Sequence, residues 1–207
     1  MSTSAGSGSN EGAPPEWKQE MEQRLALATP QDTVRGIFFI SMLGVVRALD
    51  DDAAVERCLE ACGERNFLEF FNYPVSIFIR LTYTAGQVLS TRYGSFDEAL
   101  RQLGRRAMED FLESAMGKTL KHLAGQDIRS LVSSIQGIYR MTMSYGERLV
   151  VWEGPTRGRL ILKRNFIPRA YHEGGLRTTL DRMGAQNVKV AGRQTGPLDS
   201  EYEFSWD

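Results

Sequence analysis

The sequence predicts an α+β chain, with a helical N-terminal half followed by an antiparallel sheet in the order β-β-α-β-β. Three observations carry that reading. Apolar residues recur at helical spacing up to about Ile138. From Tyr139 onward the period drops to two. Two alternating pairs then bracket a single helical pattern that contains Gly174 and Gly175. Helices gathered ahead of strands are the α+β arrangement, whereas a parallel sheet would alternate them.

The elements follow in order. Residues 1–16, MSTSAGSGSNEGAPPE, predict a disordered leader, because such a composition buries too little apolar surface to order itself. Residues 17–207 then read as one domain, with no repeat and no dividing linker. PEWKQEMEQRLALAT fits a short helix or a strand, closed by Pro30. QDTVRGIFFISMLGVVRALD is apolar over most of its circumference and predicts a buried helix with Asp32 or Thr33 as N-cap. DDAAVERCLEACG is a short amphipathic helix ended by Gly63. NYPVSIFIRLTYTAGQVLSTRYG predicts a long helix from Pro74 to Gly94.

SFDEALRQLGRRAMEDFLESAMG opens on Ser95 with Glu98 three residues later, a capping box. KTLKHLAG and DIRSLVSSIQGIY read as two further helices divided by Gly125. The alternation of Tyr139, Met141 and Met143 then reads as a change to strand, continuing across Gly146 into RLVVW. RGRLILKRN makes the second strand of a hairpin, PRAYHEGGLRTTLDRMGA a helix, and NVKVAGRQT with SEYEFSW the closing pair.

Composition narrows the function. With 25 Lys+Arg against 26 Asp+Glu, the net charge is -1. A general nucleic-acid binder needs a basic excess to displace counterions, so none is expected. The longest apolar run, Gly36 to Val46, is far short of the roughly 18 residues that span a bilayer. The N-terminus has neither a basic start nor an apolar stretch, so a cytoplasmic location is the expectation.

Few residues offer chemistry. Cys58 and Cys62 lie four apart on one helical face and read as small core side chains, not a disulfide or a metal pair. His122 reads as a surface residue and His172 as structural or exposed. EGGLRT lacks the spacing of a dinucleotide loop, and MGKTL lacks the upstream glycine of a P-loop. Gly174 and Gly175 each cost a helix about 1 kcal/mol relative to alanine, so close packing against a neighbour is the better account of them. Arg105 and Arg106 stand one turn before Glu109 and Asp110 and predict a salt-bridged face. No metal, no cofactor and no catalytic residue is expected.

The stretches DTVRGIFFISMLGVVRAL, RYGSFDEALRQLGRRA, FIPRAYHEGGLRTTLDRMGA and TGPLDSEYEFSW resemble a paralogous family of uncharacterised myxobacterial proteins, a domain of unknown function. The resemblance runs from about Trp17 to Trp206. More loosely, the order of helical half, hairpin, Gly-containing helix and aromatic closing strand is similar to the superfamily of heme-nitric-oxide-binding, 4-vinyl reductase-type and vesicle-transport-subunit domains. That resemblance implies a ligand-sensing or scaffold fold. The chain carries Gln194, Thr195 and Glu201 where the vinyl reductase type has cysteines.

Two functional expectations follow. The first is a non-enzymatic sensor or regulatory domain that holds a small apolar ligand between the helical half and the sheet, lined by Phe38, Phe39, Met42, Phe78, Leu81 and Tyr83. The alternative is an interaction scaffold that pairs with a second copy or a paralogue and binds nothing small. An acid–base enzyme using His172 with Glu173 or Asp199 ranks behind both, because no nucleophile motif accompanies them.

Overall fold

The computed structural model describes residues 15–125 and 127–207. The first fourteen residues of the expected leader lie outside the described residues; Pro15 and Glu16 already open a helix. The order is α1 (Glu16–Leu27), β1 (Thr33–Arg35), α2 (Gly36–Leu49), α3 (Asp52–Cys62), β2 (Asn72–Pro74), α4 (Val75–Tyr93) and α5 (Phe96–Glu113). There follow α6 (Ala115–Ala124), α7 (Ile128–Thr142), β3 (Glu147–Gly154), β4 (Arg157–Lys163), α8 (Arg169–Arg182), β5 (Lys189–Gly196) and β6 (Asp199–Ser205). The α+β class and the β-β-α-β-β order are as the sequence predicts.

Local signals set most boundaries. Ser95 Oγ accepts from the Glu98 amide at 3.1 Å, which opens α5. The reciprocal half of the capping box is not made, because the Glu98 carboxylate takes Gln102 and Arg101 instead. Gly63 closes α3 in the left-handed conformation at φ 69°. Arg105 pairs with Glu109 and Arg106 with Asp110, as expected of that face.

Two expectations are corrected. Helix α2 does not start from Asp32 or Thr33. Residues 33–35 form β1, which pairs antiparallel with β2 through Val34 and Tyr73, and α2 begins at Gly36. Asp32 instead closes the preceding turn by accepting from the Thr29 amide and hydroxyl, and pairs with Arg164 at 2.7 Å. The run from Tyr139 to Met143 is also not a strand. Helix α7 continues through Thr142, and the Met143 amide still donates to the Tyr139 carbonyl at 3.0 Å. Three residues at spacing two coexist there with Leu131, Ile135, Ile138 and Thr142 at spacings of three and four, and the longer pattern wins because it buries a continuous stripe.

The sheet has strand order β3-β4-β6-β5, with every neighbour antiparallel. Tyr202 and Phe204 of β6 are buried under α8 with Leu162, Leu176, Leu180 and Val188. Glu201, on the other side of the strand, is covered by arginines and not left to solvent: it pairs with Arg159 at 2.5 Å and with Arg193. A separate, larger core lies among α2, α3, α4 and α5. Helices α5 and α8 join the two. A Cβ on Gly104 would overlap the Tyr171 carbonyl, and one on Gly174 would overlap the Arg101 carbonyl. The predicted close packing at the glycine pair is therefore made at Gly174, against helix α5.

Candidate functional site

Between the two cores lies a cavity of about 550 Å³. It falls within the roughly 300–1,000 Å³ of ordinary small-molecule sites. Helix α2 contributes Phe38 and Met42, α5 contributes Ala107, Met108 and Phe111, and α7 contributes Val132, Ile135 and Tyr139. Strand β4 adds Leu160 and Leu162, and α8 adds Leu176 and Thr179. Gly104 and Gly175 also lie on its wall, and the Gly104 carbonyl stands 3.5 Å from where a Gly175 Cβ would be. At the mouth, Ile37, Phe70 and Met116 are exposed apolar side chains. A second hollow, of about 650 Å³, is rimmed by charged and amide groups such as Glu20, Asp97, Arg169 and Gln194.

Of the six aromatic and aliphatic residues expected to line a ligand site, Phe38 and Met42 face this cavity. Phe38 stands edge-on to Phe78 at 6.4 Å and tilted on Tyr139 at 5.8 Å. Phe39, Phe78, Leu81 and Tyr83 belong to the helical core behind it. There Phe39 stacks on Phe67 at 4.4 Å and Tyr83 on Phe96 at 5.7 Å. Sequence reasoning did not pick out the contributions of α5, α7 and α8. For α5 and α8 the signal was the placement of glycines at 104 and 174, which mark where those two helices approach closely; no such signal marks α7.

Polar groups in the cavity are few. The Gln136 Nε2 is buried and has no hydrogen-bond partner among the described residues. Arg148 lies over the Tyr139 ring at 4.6 Å and donates weakly to the Met143 sulfur at 3.4 Å. The hydroxyls of Thr142 and Thr179 donate to helix carbonyls one turn back, and Ser114 caps α6. His172 is buried, and its Nε2 lies 3.0 Å from the Asn165 Nδ2. That same Nδ2 donates to the Ile167 carbonyl at 2.8 Å. The carbonyl fixes the amide orientation, so Nε2 accepts and the ring proton sits on Nδ1. Burial, reinforced by the charges of Arg148 and Arg24, pulls the imidazole down to about 3, so it is neutral at physiological pH.

The other reactive groups are spent elsewhere. Glu173 accepts from Arg101 at 2.8 Å, from Arg169 and from the Gly192 amide at 3.1 Å, away from His172. Cys58 and Cys62 are buried free thiols outside the cavity lining, pushed up by burial to about 11 and about 12. Among the described residues, no group of three or more His, Cys, Asp or Glu could hold a metal ion. The cavity wall is mainly apolar, and among the described residues that line it no nucleophile–base hydrogen bond is made.

The profile of the family described as "protein of unknown function (DUF2378)" matches residues 27–207. No curated protein matches. Among solved structures, the chain is similar to an H-NOX protein from S. oneidensis in the Fe(II)NO ligation state, at 14% identity and a TM-score of 0.64, covering 84% of this chain and 99% of that one. It is similar to an unliganded Fe(II) H-NOX mutant from K. algicida, at 15% identity and a TM-score of 0.61, covering 84% and 96%. An oxygen-binding H-NOX domain related to soluble guanylate cyclases aligns at 13% identity and a TM-score of 0.60, covering 84% and 95%. At these identities the likeness is one of fold.

The fold therefore raises heme as a candidate group, and the residues present do not fit it. The chain has two histidines. His122 is exposed on α6 and is not among the cavity residues. His172 reaches the cavity, but its Nε2 lone pair is taken by Asn165. Neither cysteine lines the cavity. An axial ligand would have to come from a buried tyrosine or a methionine, each a less common arrangement for holding heme iron.

Proposed function

We propose, from the premise that the chain belongs to the DUF2378 family, that it is a non-catalytic sensor or regulatory domain holding a small apolar molecule between its helical and sheet cores. One observation carries this reading: a cavity of about 550 Å³ walled by apolar side chains from both cores. Occupancy would bias the contact between the cores, because α2, α5, α7, β4 and α8 all touch the same space. The shared fold with gas-binding H-NOX domains supports a ligand role and supplies no heme chemistry here.

The test is native mass spectrometry and organic extraction of the purified chain, with an apolar dye as probe. The expected result is a retained or dye-replaceable small molecule that Ala107→Phe excludes while the helical circular dichroism is kept. A protein that shows only its bare mass and takes up no dye overturns the reading.

A second reading, pairing with another copy, is favoured by the exposed Ile37 and Phe70 on the cavity wall and by the exposed Ile40 and Phe71. Light scattering across a dilution series tests it directly. A monomer at every concentration removes the homodimer.

A further inference from the structure

The charge at the cavity wall narrows the class of ligand; this inference rests on the cavity being a binding site. Two arginines line a space whose wall is mainly apolar. Arg35 sits at the end of β1 and is the residue from which α2 starts. Arg148 projects from β3. An antiparallel bridge between Val34 and Met143, together with the Ser144 amide donating to Thr33 at 3.1 Å, ties these two parts of the chain together.

Neither arginine has an ion-pair partner among the described residues. Arg148 has only the Tyr139 ring and the Met143 sulfur, and both side chains are half-buried. This sets them apart. Arg24, Arg101, Arg106, Arg159 and Arg169, which are also buried or half-buried, each pair with a carboxylate. The carboxylates on the cavity wall do not serve the unpaired two. Asp110 is committed to Arg106, and Glu69 is exposed at the mouth. Leaving a guanidinium half-desolvated without a counter-charge is costly, and a carboxylate can meet its planar fork with two parallel hydrogen bonds. The unpartnered Gln136 Nε2 is a third donor in the same space.

We propose that the cavity takes an amphiphile of the fatty-acid class, an apolar chain bearing a single carboxylate. Arg35 and Arg148 bind the carboxylate, and the chain lies against Met42, Met108, Ile135, Leu162 and Leu176.

The experiment titrates the full chain, by calorimetry, with decanoate and with decan-1-ol, which share the apolar chain and differ in the head. Decanoate is expected to bind at least roughly tenfold more tightly, the order of a charge-assisted hydrogen bond. Arg35→Met and Arg148→Met should each erode that preference, weakening decanoate by several-fold more than decan-1-ol; a variant that weakens the two equally counts against the carboxylate contact. Equal binding of acid and alcohol by the parent chain overturns the carboxylate assignment and leaves the cavity as an apolar site. Binding of neither overturns the ligand site itself and the inference with it. Should a variant fail to fold, the acid–alcohol comparison on the parent chain decides the matter, because it needs no substitution.

Discussion

The Asn165 side-chain nitrogen lies 3.0 Å from His172 Nε2 and donates to it, while the Asn165 carbonyl accepts from Arg24 at 2.7 Å. A residue of the β4–α8 connection thereby fixes a histidine of α8 on one side and an arginine of α1 on the other. Burial disfavours the charged imidazole, and Arg148 and Arg24 oppose its protonation further.

Acid sensitivity follows with a definite sign. The His172 pKa in the fold is about 3, below the ordinary 6.5, so the unfolded chain binds the extra proton. Its contribution to stability is complete above about pH 6.5 and is lost as the pH falls towards 3, at up to about 1.4 kcal/mol per pH unit. Asp32, Asp199 and Glu201 are likewise held below their usual range, but they act only at lower pH, near and below the ordinary carboxylate values. Urea unfolding at about pH 7 and about pH 5 should show a loss of about 2 kcal/mol for the parent chain. In His172→Gln, which keeps an acceptor for Asn165, that loss should be absent. Equal losses in the two proteins would sink the assignment.

The same hydrogen bond governs heme. With Nε2 engaged by Asn165, added hemin should give no spectrum of histidine-ligated iron, and the absorption should be the same for the parent chain and for His172→Gln. A sharp Soret band that disappears in the variant would show that Asn165 yields its hold and that His172 ligates the iron.

Glycine substitutions separate packing from propensity. Gly104→Ala and Gly174→Ala each place a methyl group on backbone of the facing helix, Tyr171 in one case and Arg101 in the other. Backbone cannot step aside as a side-chain tip can, so a loss of about 1–3 kcal/mol or more is expected. Gly44, in helix α2, has nothing within 4 Å of its would-be Cβ. Gly44→Ala should instead raise stability by up to about 1 kcal/mol. Thermal unfolding of the three variants reads the contrast, and three shifts of one sign would refute it.

What was legible in the sequence was local. Ser95 and Gly63 announce helix ends because a cap is satisfied within a few residues of itself. The aromatic alternation of the last strand is legible because one face of a sheet is buried. Strands β1 and β2 were not legible. Three residues are too few to display a period, and the ribbon is held by distant partners, with the Thr33 amide donating to Ser144 Oγ. The cavity was half legible for a related reason. Counting aromatics on α2 and α4 finds apolar faces, but Phe38 and Phe39 differ in which space they meet only once α5, α7 and α8 are in place. The unpaired state of Arg35 and Arg148 depends on where every carboxylate ends, and no local pattern carries that.

The closing hairpin offers the sharpest test of the sheet. Strands β5 and β6 are joined through Pro197 and Leu198, with Gly196 opposite Asp199. Both sides of this short turn are anchored. The Leu198 carbonyl accepts from the Asn165 amide at 2.7 Å, and Asp199 accepts from the Arg164 amide at 2.9 Å and from Lys163 at 3.0 Å. Strand β6 also pairs with β4 on its other edge, so sliding it disturbs two ladders at once. One residue inserted after Leu198 would turn Tyr202 and Phe204, now 0% and 2% exposed, outward, and bring Glu201 and Glu203 over the α8 core. At roughly 1.5–3 kcal/mol for each large apolar side chain, the loss should reach several kcal/mol before the inverted carboxylates are counted. Thermal unfolding, followed by near-ultraviolet circular dichroism of Trp152 and Trp206, should show an early and broadened transition. An unfolding curve identical to the parent would mean that the turn absorbs the added residue and that the register of β6 is set by β4 alone.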